Sequence, residues 1–267
     1  MKRQIQFEFL YQVAALALAV ALVHLVYIAL IRPEAAVFAE ATAARIAAGD
    51  SAAQPQSIYV ILNDYEQEAC IMLMLWAVAI MGLKARQSLA ERRLLDEDLI
   101  HVSEGTSILP EDTREYVRSI EALPEPSRDC LLPRALTTAL QRFSSTRNIQ
   151  DVSEAVRSVC DRESDRLDSE LSMVRYISWA IPSIGFIGTV RGIGDALSQA
   201  YKAVEGDIAG VTASLGVAFN STFVALVLSI ILMFLMHQLQ LLQERLVLDV
   251  QNHADRRLIR HLQVRDA

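Results

Sequence analysis

The 267-residue chain is 52% hydrophobic and 21% charged, whereas soluble domains average about 45–50% apolar and about 25% charged, so a membrane location is expected and intrinsic disorder is excluded. Its 25 Lys and Arg against 32 Asp and Glu leave a net charge of -7, which gives nucleic-acid binding no global electrostatic support. Cys70, Cys130 and Cys160 are odd in number and contain no C-x-x-C pair, which favours reduced structural thiols over a disulfide framework or a zinc site.

Val13 to Ile31 is an uncharged apolar run of roughly the 20 residues a helix needs to cross the hydrocarbon. Lys2 and Arg3 before it resemble a signal peptide, but the run outlasts the about 7–15 residues of a signal core. Ala69 to Leu83 is a shorter second span, approached by an amphipathic stretch from Ile58. Between the two, Ala35 to Ala53 reads as a flexible or frayed helical loop.

Lys84 to Ser172 is a polar helical block. Its first helix starts near Pro110, marks one face with Tyr116, Val117, Ile120 and Leu123, and ends at Pro124 and Pro126. A second carries Leu132, Leu136, Leu140 and Phe143. From Ile149, the positions Val152, Val156, Val159, Leu167, Leu171 and Val174 recur every three to four residues and predict one long helix running into the third span. Asp161, Arg162, Glu163, Asp165, Arg166, Asp168 and Glu170 on its other face read as a solvated surface, with partner docking as the alternative.

Ile177 to Ile193 and Val211 to Met236 are the third and fourth spans, and Leu239, Leu242, Leu246 and Val250 continue the last as a helix. The predicted fold class is an all-α membrane protein: four transmembrane helices, a helical cytoplasmic domain between spans 2 and 3, and cytoplasmic helix extensions. Residues 1–83 hold the N-terminal pair with an external loop at 33–65, 84–172 the cytoplasmic domain, 173–236 the pore-forming pair and 237–267 a C-terminal helix. Lys2, Arg3, Lys84, Arg86, Arg92, Arg93, Arg175 and Arg245 fall on one side, against only Arg45 and Lys202 in the opposite loops with Arg32 and Arg191 near helix ends. That bias puts both termini in the cytoplasm.

Gly185 to Gly194 is glycine-dense, but no strand precedes it and no Walker Lys-Ser/Thr follows it. Gly188 and Gly192 instead form the G-x-x-x-G spacing of closely approaching membrane helices. Ser214, Ala218, Thr222, Ala225 and Ser229 place small and hydroxylated side chains on one face of the fourth span, while Phe219, Phe223, Leu226, Ile230, Met233 and Phe234 take other faces. Thr189 and Ser221 add hydroxyls, so the stripe reads as a polar-lined pathway, with helix packing as the plainer alternative. The Asn220-Ser221-Thr222 sequon, inside a span, is a false match. No Asp, Glu or Lys is central to any expected span, and His24, the one central titratable group, is expected to bond a neighbouring helix. Any carrier acid must then come from another polypeptide. Metalloprotease, Walker and nucleophile-elbow patterns are missing, and His101, His237, His253 and His261 are scattered, so no enzyme is expected.

Ile181 to Leu197 (IPSIGFIGTVRGIGDAL) and Ser214 to Ile230 (SLGVAFNSTFVALVLSI) resemble the paired core of the MotA/TolQ/ExbB proton-channel family, with its signature at Pro182, Gly185, Gly188, Thr189, Val190 and Gly192. The four-span layout is more like MotA and the motif wording more like ExbB and TolQ. The resemblance implies a homopentamer in the bacterial inner membrane, surrounding two copies of a single-span MotB/ExbD/TolR-like partner whose membrane Asp carries H+ or Na+. It implies no cofactor and no metal. Thr189, Thr222, Ser221, Ser214 and Ala218 are the expected pathway residues, Pro182 the entrance or hinge, and Gly185, Gly188, Gly192 and Ala225 the close-packing positions. One charge crossing 100 mV releases about 2.3 kcal/mol, which the family turns into rotary work across the envelope. A non-conducting scaffold or sensor is the alternative. Two departures stand out: Arg191, expected to turn away from the pore toward Asp195, and Val217, where ExbB and TolQ carry an acid. Arg92 and Glu97 are paired charges that a rotor could meet, with a solvated helix surface the plainer reading.

Overall fold

A computed structural model describes residues 2–47, 57–97, 99–100, 107–204 and 206–264. In chain order the α-helices are α1 (Lys2–Val26), α2 (Arg32–Ala47), α3 (Ile58–Ile61), α4 (Tyr65–Arg93), α5 (Thr113–Glu121), α6 (Glu125–Arg128), α7 (Leu131–Thr146), α8 (Ile149–Glu170), α9 (Ser172–Ser198), α10 (Ala200–Val204) and α11 (Ala209–Arg257). His101 lies outside the described residues. Two compact units form: Met1–Met81 with Met173–Met236, and Gly82–Ser172 with His237–Ala267.

Among the described residues, three helical stretches are long and apolar enough to cross a membrane: Gln6–Thr42, Tyr65–Asp96 and Ala209–His261. The expected third span, Ile177 to Ile193, is helical within α9 but is not one of them. Ser178, Pro182, Ser183, three glycines, Thr189 and Arg191 dilute its apolar residues.

In the first unit the start of the loop expected at 33–65 is helical, with α2 running on from the first helix to Ala47. Pro33 lacks an N–H and its ring crowds the carbonyl four residues back. Here the turn before it widens into a π-helix over Tyr27–Ile31, a local bulge by which helices relieve such misfits. The part of the expected loop at 48–56 lies outside the described residues. Helices α1 and α4 pack antiparallel, with the Tyr11 hydroxyl donating to Ala79 O at 3.2 Å and Trp76 Nε1 to Gln12 O at 3.0 Å. Leu18, Leu25, Trp179, Phe186, Phe219 and Ile230 are exposed, an apolar exterior suited to lipid rather than water.

The second unit has a globular core. Leu132, Leu136, Leu140 and Phe143 of α7 are buried against Val152, Val156 and Val159 of α8, with Ile120 of α5 and Leu246, Val250 and Leu258 completing the cluster. Asn148 caps α8, its side chain accepting from Gln150 N at 2.9 Å. The one long helix expected from Ile149 is divided: α8 ends at Glu170, and α9 starts after Leu171.

The charged face of α8 is also not uniformly solvated. Glu163 is 2% exposed, accepts from Arg134 Nη1 at 3.1 Å and is paired with Arg166, while Lys84 Nζ lies 2.8 Å from Glu170. Helical spacing alone places Glu163 on the outside, and the α7 arginine makes it an inside position. Since Arg134 and Arg166 are 44% and 47% exposed, Glu163→Gln leaves two cations that water can solvate. A loss of about 1–3 kcal/mol is expected, read as a lower unfolding midpoint in detergent, and an unchanged midpoint would contradict the assignment.

Burial pushes the Cys130 and Cys160 thiols up to about 11 each, which keeps them protonated at neutral pH. The thiolate is the reactive form. Iodoacetamide labelling of both should therefore be slow at pH 8 and rise with pH through 10, whereas a plateau already reached at pH 8 would contradict thiols held protonated.

Candidate functional site: the α9–α11 helix pair

Helices α9 and α11 run antiparallel because small residues meet along their whole contact. A Cβ built on Gly185 would fall 2.5 Å from Ala225 Cβ, one on Gly188 2.5 Å from Ser221 Cβ, and one on Gly192 2.7 Å from Ala218 N. Carbon atoms normally rest at about 3.5–4.0 Å, so only glycine fits at these three positions. In lipid such close packing and interhelical hydrogen bonds replace the hydrophobic drive between helices.

At the centre of this contact the Thr189 and Thr222 hydroxyls hydrogen-bond to each other. Thr189 Oγ1 also lies 3.1 Å from Ala218 O and 3.3 Å from Gly185 O, and Thr222 Oγ1 3.1 Å from Gly185 O. Two hydroxyl protons are thus shared among two carbonyls and the partner hydroxyl. Each hydroxyl oxygen has two lone pairs and both side chains are partly exposed, so the pair can still accept a hydrogen bond from outside the chain.

The remaining hydroxyls of the expected stripe are used otherwise. Ser221 is 1% exposed, donates to Val217 O at 2.7 Å and faces Gly188. Ala218 and Ala225 are fully buried against glycines. Ser214 Oγ accepts from Gln199 Nε2 at 3.1 Å. Pro182 sits inside α9, where it removes the hydrogen bond that Ser178 O would receive from residue 182. Ser229 Oγ donates to that same carbonyl at 3.1 Å. A proline in one helix with a serine on the facing one was a signal open to sequence reasoning, since buried backbone acceptors in lipid must be satisfied.

Arg191 does more than approach Asp195. Its guanidinium forms a two-pronged pair with Glu66, Nε at 2.7 Å and Nη2 at 2.8 Å, with Asp64 at 3.6 Å, whereas Asp195 is 4.0 Å away. Asp195 lies on the same helix, while the α4 carboxylate approaches with fork geometry, which is the stronger arrangement. The cation is therefore neutralised by the chain itself.

A second polar cluster joins α1 to α4. Glu68, 4% exposed, accepts from Arg32 Nη2 at 2.6 Å and pairs with His24 Nδ1 at 2.6 Å, and Arg32 lies over the Tyr65 ring at 4.7 Å. His24 thus does bond a neighbouring helix. Glu66 and Glu68 lie in the first turn of α4, at the end of the helix rather than central to it, and reach Arg191 and His24. Neither hydrogen-bonds the threonine pair among the described residues.

Residues 128–252 match the model of the MotA/TolQ/ExbB proton channel family. This stretch of the chain is similar to that family. The matched segment takes in α7–α10 and most of α11, including the threonine pair, Pro182 and the three packing glycines. No curated protein and no solved structure matches the chain. The likeness to a proton channel family, together with the apolar helices, points to a membrane location and an ion-channel-type function.

Proposed function

We propose that the chain is the channel subunit of an ion-driven rotary stator, five copies surrounding a dimer of a single-span partner whose membrane Asp carries the ion. The observation that carries this reading is the partly buried Thr189–Thr222 hydroxyl pair bridging α9 and α11. Its free lone pairs are suited to a protonated carboxyl on another helix, and the chain brings no carboxylate to them among its described residues. On this reading α9 is a fourth span, tolerably polar because its glycine and hydroxyl face is covered by α11. Pro182 lies at the entrance, both termini and the second unit are cytoplasmic, the membrane is the bacterial inner membrane, and H+ or Na+ is the transported ion. Ser221, Ser214 and Ala218 line the route only behind the threonine pair.

A second reading, a non-conducting scaffold or sensor, is favoured by one observation: each threonine hydroxyl already has a backbone carbonyl within reach, so packing alone can account for both. Potential-driven H+ or Na+ uptake by liposomes holding the chain with its partner separates the two. Uptake abolished by Asn in place of the partner's Asp supports the channel. No uptake in the wild-type complex supports the scaffold.

A further inference from the structure

In a chain of net charge -7, one concavity is basic. A cleft of about 610 Å³ in the second unit lies between the end of α4 and the last turns of α11, within the about 300–1,000 Å³ typical of small-molecule sites. Arg92 and Arg93 enter it from α4, and Arg256 and Arg257 from α11, with Asn252 and His253 beside them. Two acids, Asp96 and Asp249, also line it, so four guanidiniums face two carboxylates. Arg92 spends its charge on Asp249 at 3.4 Å. Arg93, Arg256 and Arg257 have no ion-pair partner among the described residues.

This differs from the other interior-facing cations of the unit. Arg134, Arg166 and Lys84 each meet a carboxylate, as structural cations do. Gathering like charges in one concavity raises the local potential and attracts anions, and planar guanidinium forks match phosphate oxygens better than any other side chain. We infer that this cleft binds a phosphate-bearing anion, through Arg93, Arg256 and Arg257, at a site separate from the α9–α11 pair and independent of the channel reading.

Calorimetric titration of the full-length chain, in nanodiscs of neutral phosphatidylcholine, with inorganic pyrophosphate tests it. Saturable binding is expected, weakened about tenfold by Arg93→Ser or Arg256→Ser, the usual scale of one lost charge-assisted bond. Asp96→Asn removes a repelling carboxylate and should tighten binding several-fold, a gain that misfolding cannot mimic. Arg142→Ser, exposed on α7 outside the cleft, should change nothing. Absence of saturable binding, an Arg142→Ser loss equal to that of Arg93→Ser, or no tightening in Asp96→Asn would overturn the proposal. Repeating the titration with phosphatidylglycerol in the nanodisc identifies the source: competition marks a lipid headgroup, and unaltered binding marks a soluble phosphate ligand. Either result is consistent with the phosphate site.

Discussion

Thr189→Val and Thr222→Val should each abolish ion uptake by the reconstituted complex while leaving it assembled. Valine keeps the shape of threonine and removes only the hydroxyl. The stability at risk is one interhelical hydrogen bond, about 0.6 kcal/mol on average in membranes and at most about 1.7, because the rest of the contact is glycine and alanine packing. Gly185 O retains one donor in either single variant, since both threonines reach it. The functional loss should be far larger, a fall in uptake of at least about a hundredfold, because no other hydroxyl of the stripe can take over. Ser221 is buried behind Gly188, and Ser214 is bonded to Gln199. Wild-type uptake in both variants, measured with a pH-sensitive or Na+-sensitive dye, would assign the threonines to packing alone.

Gly192→Ala should separate the helix pair and lower the unfolding midpoint. The new Cβ meets Ala218 N at 2.7 Å and Ser214 O at 2.8 Å, backbone atoms that cannot rotate away. The helices must part by about 1 Å to restore ordinary contacts, at a cost of about 1–3 kcal/mol or more. Parting also draws Thr189 from Ala218 O, so uptake falls as well. Gly194→Ala and Gly216→Ala are the matched controls. Nothing lies within 4 Å of either added Cβ, and each stands to gain up to about 1 kcal/mol of helix propensity in the isolated chain. Equal midpoints for Gly192→Ala and Gly194→Ala would show that the close approach is not what holds the pair.

What could be read from the sequence was what lies along one helix. The G-x-x-x-G spacing and the hydroxyl stripe repeat at helical periodicity, so Gly188, Gly192, Thr189 and Thr222 stood out before any contact was known. The leucines of α7 and the valines of α8 did so for the same reason. What escaped was pairing between helices far apart in sequence. Periodicity puts Arg191 beside Asp195, but the side chain reaches Glu66, 125 residues away. Likewise Glu163 looks solvated until Arg134 covers it. Pro33 reads as the start of a loop only while a π turn is not considered. The polarity of α9 is likewise a matter of pairing: its mean composition falls short of the other apolar helices, because one face is built of small residues that meet α11.

A ring of this chain around an acid supplied by another polypeptide is tested by native mass spectrometry of the chain purified together with its single-span partner. Five copies of this chain with two of a partner that carries a membrane Asp are expected. A stable complex with no such partner would contradict that assembly, and would leave Thr189 and Thr222 as packing residues.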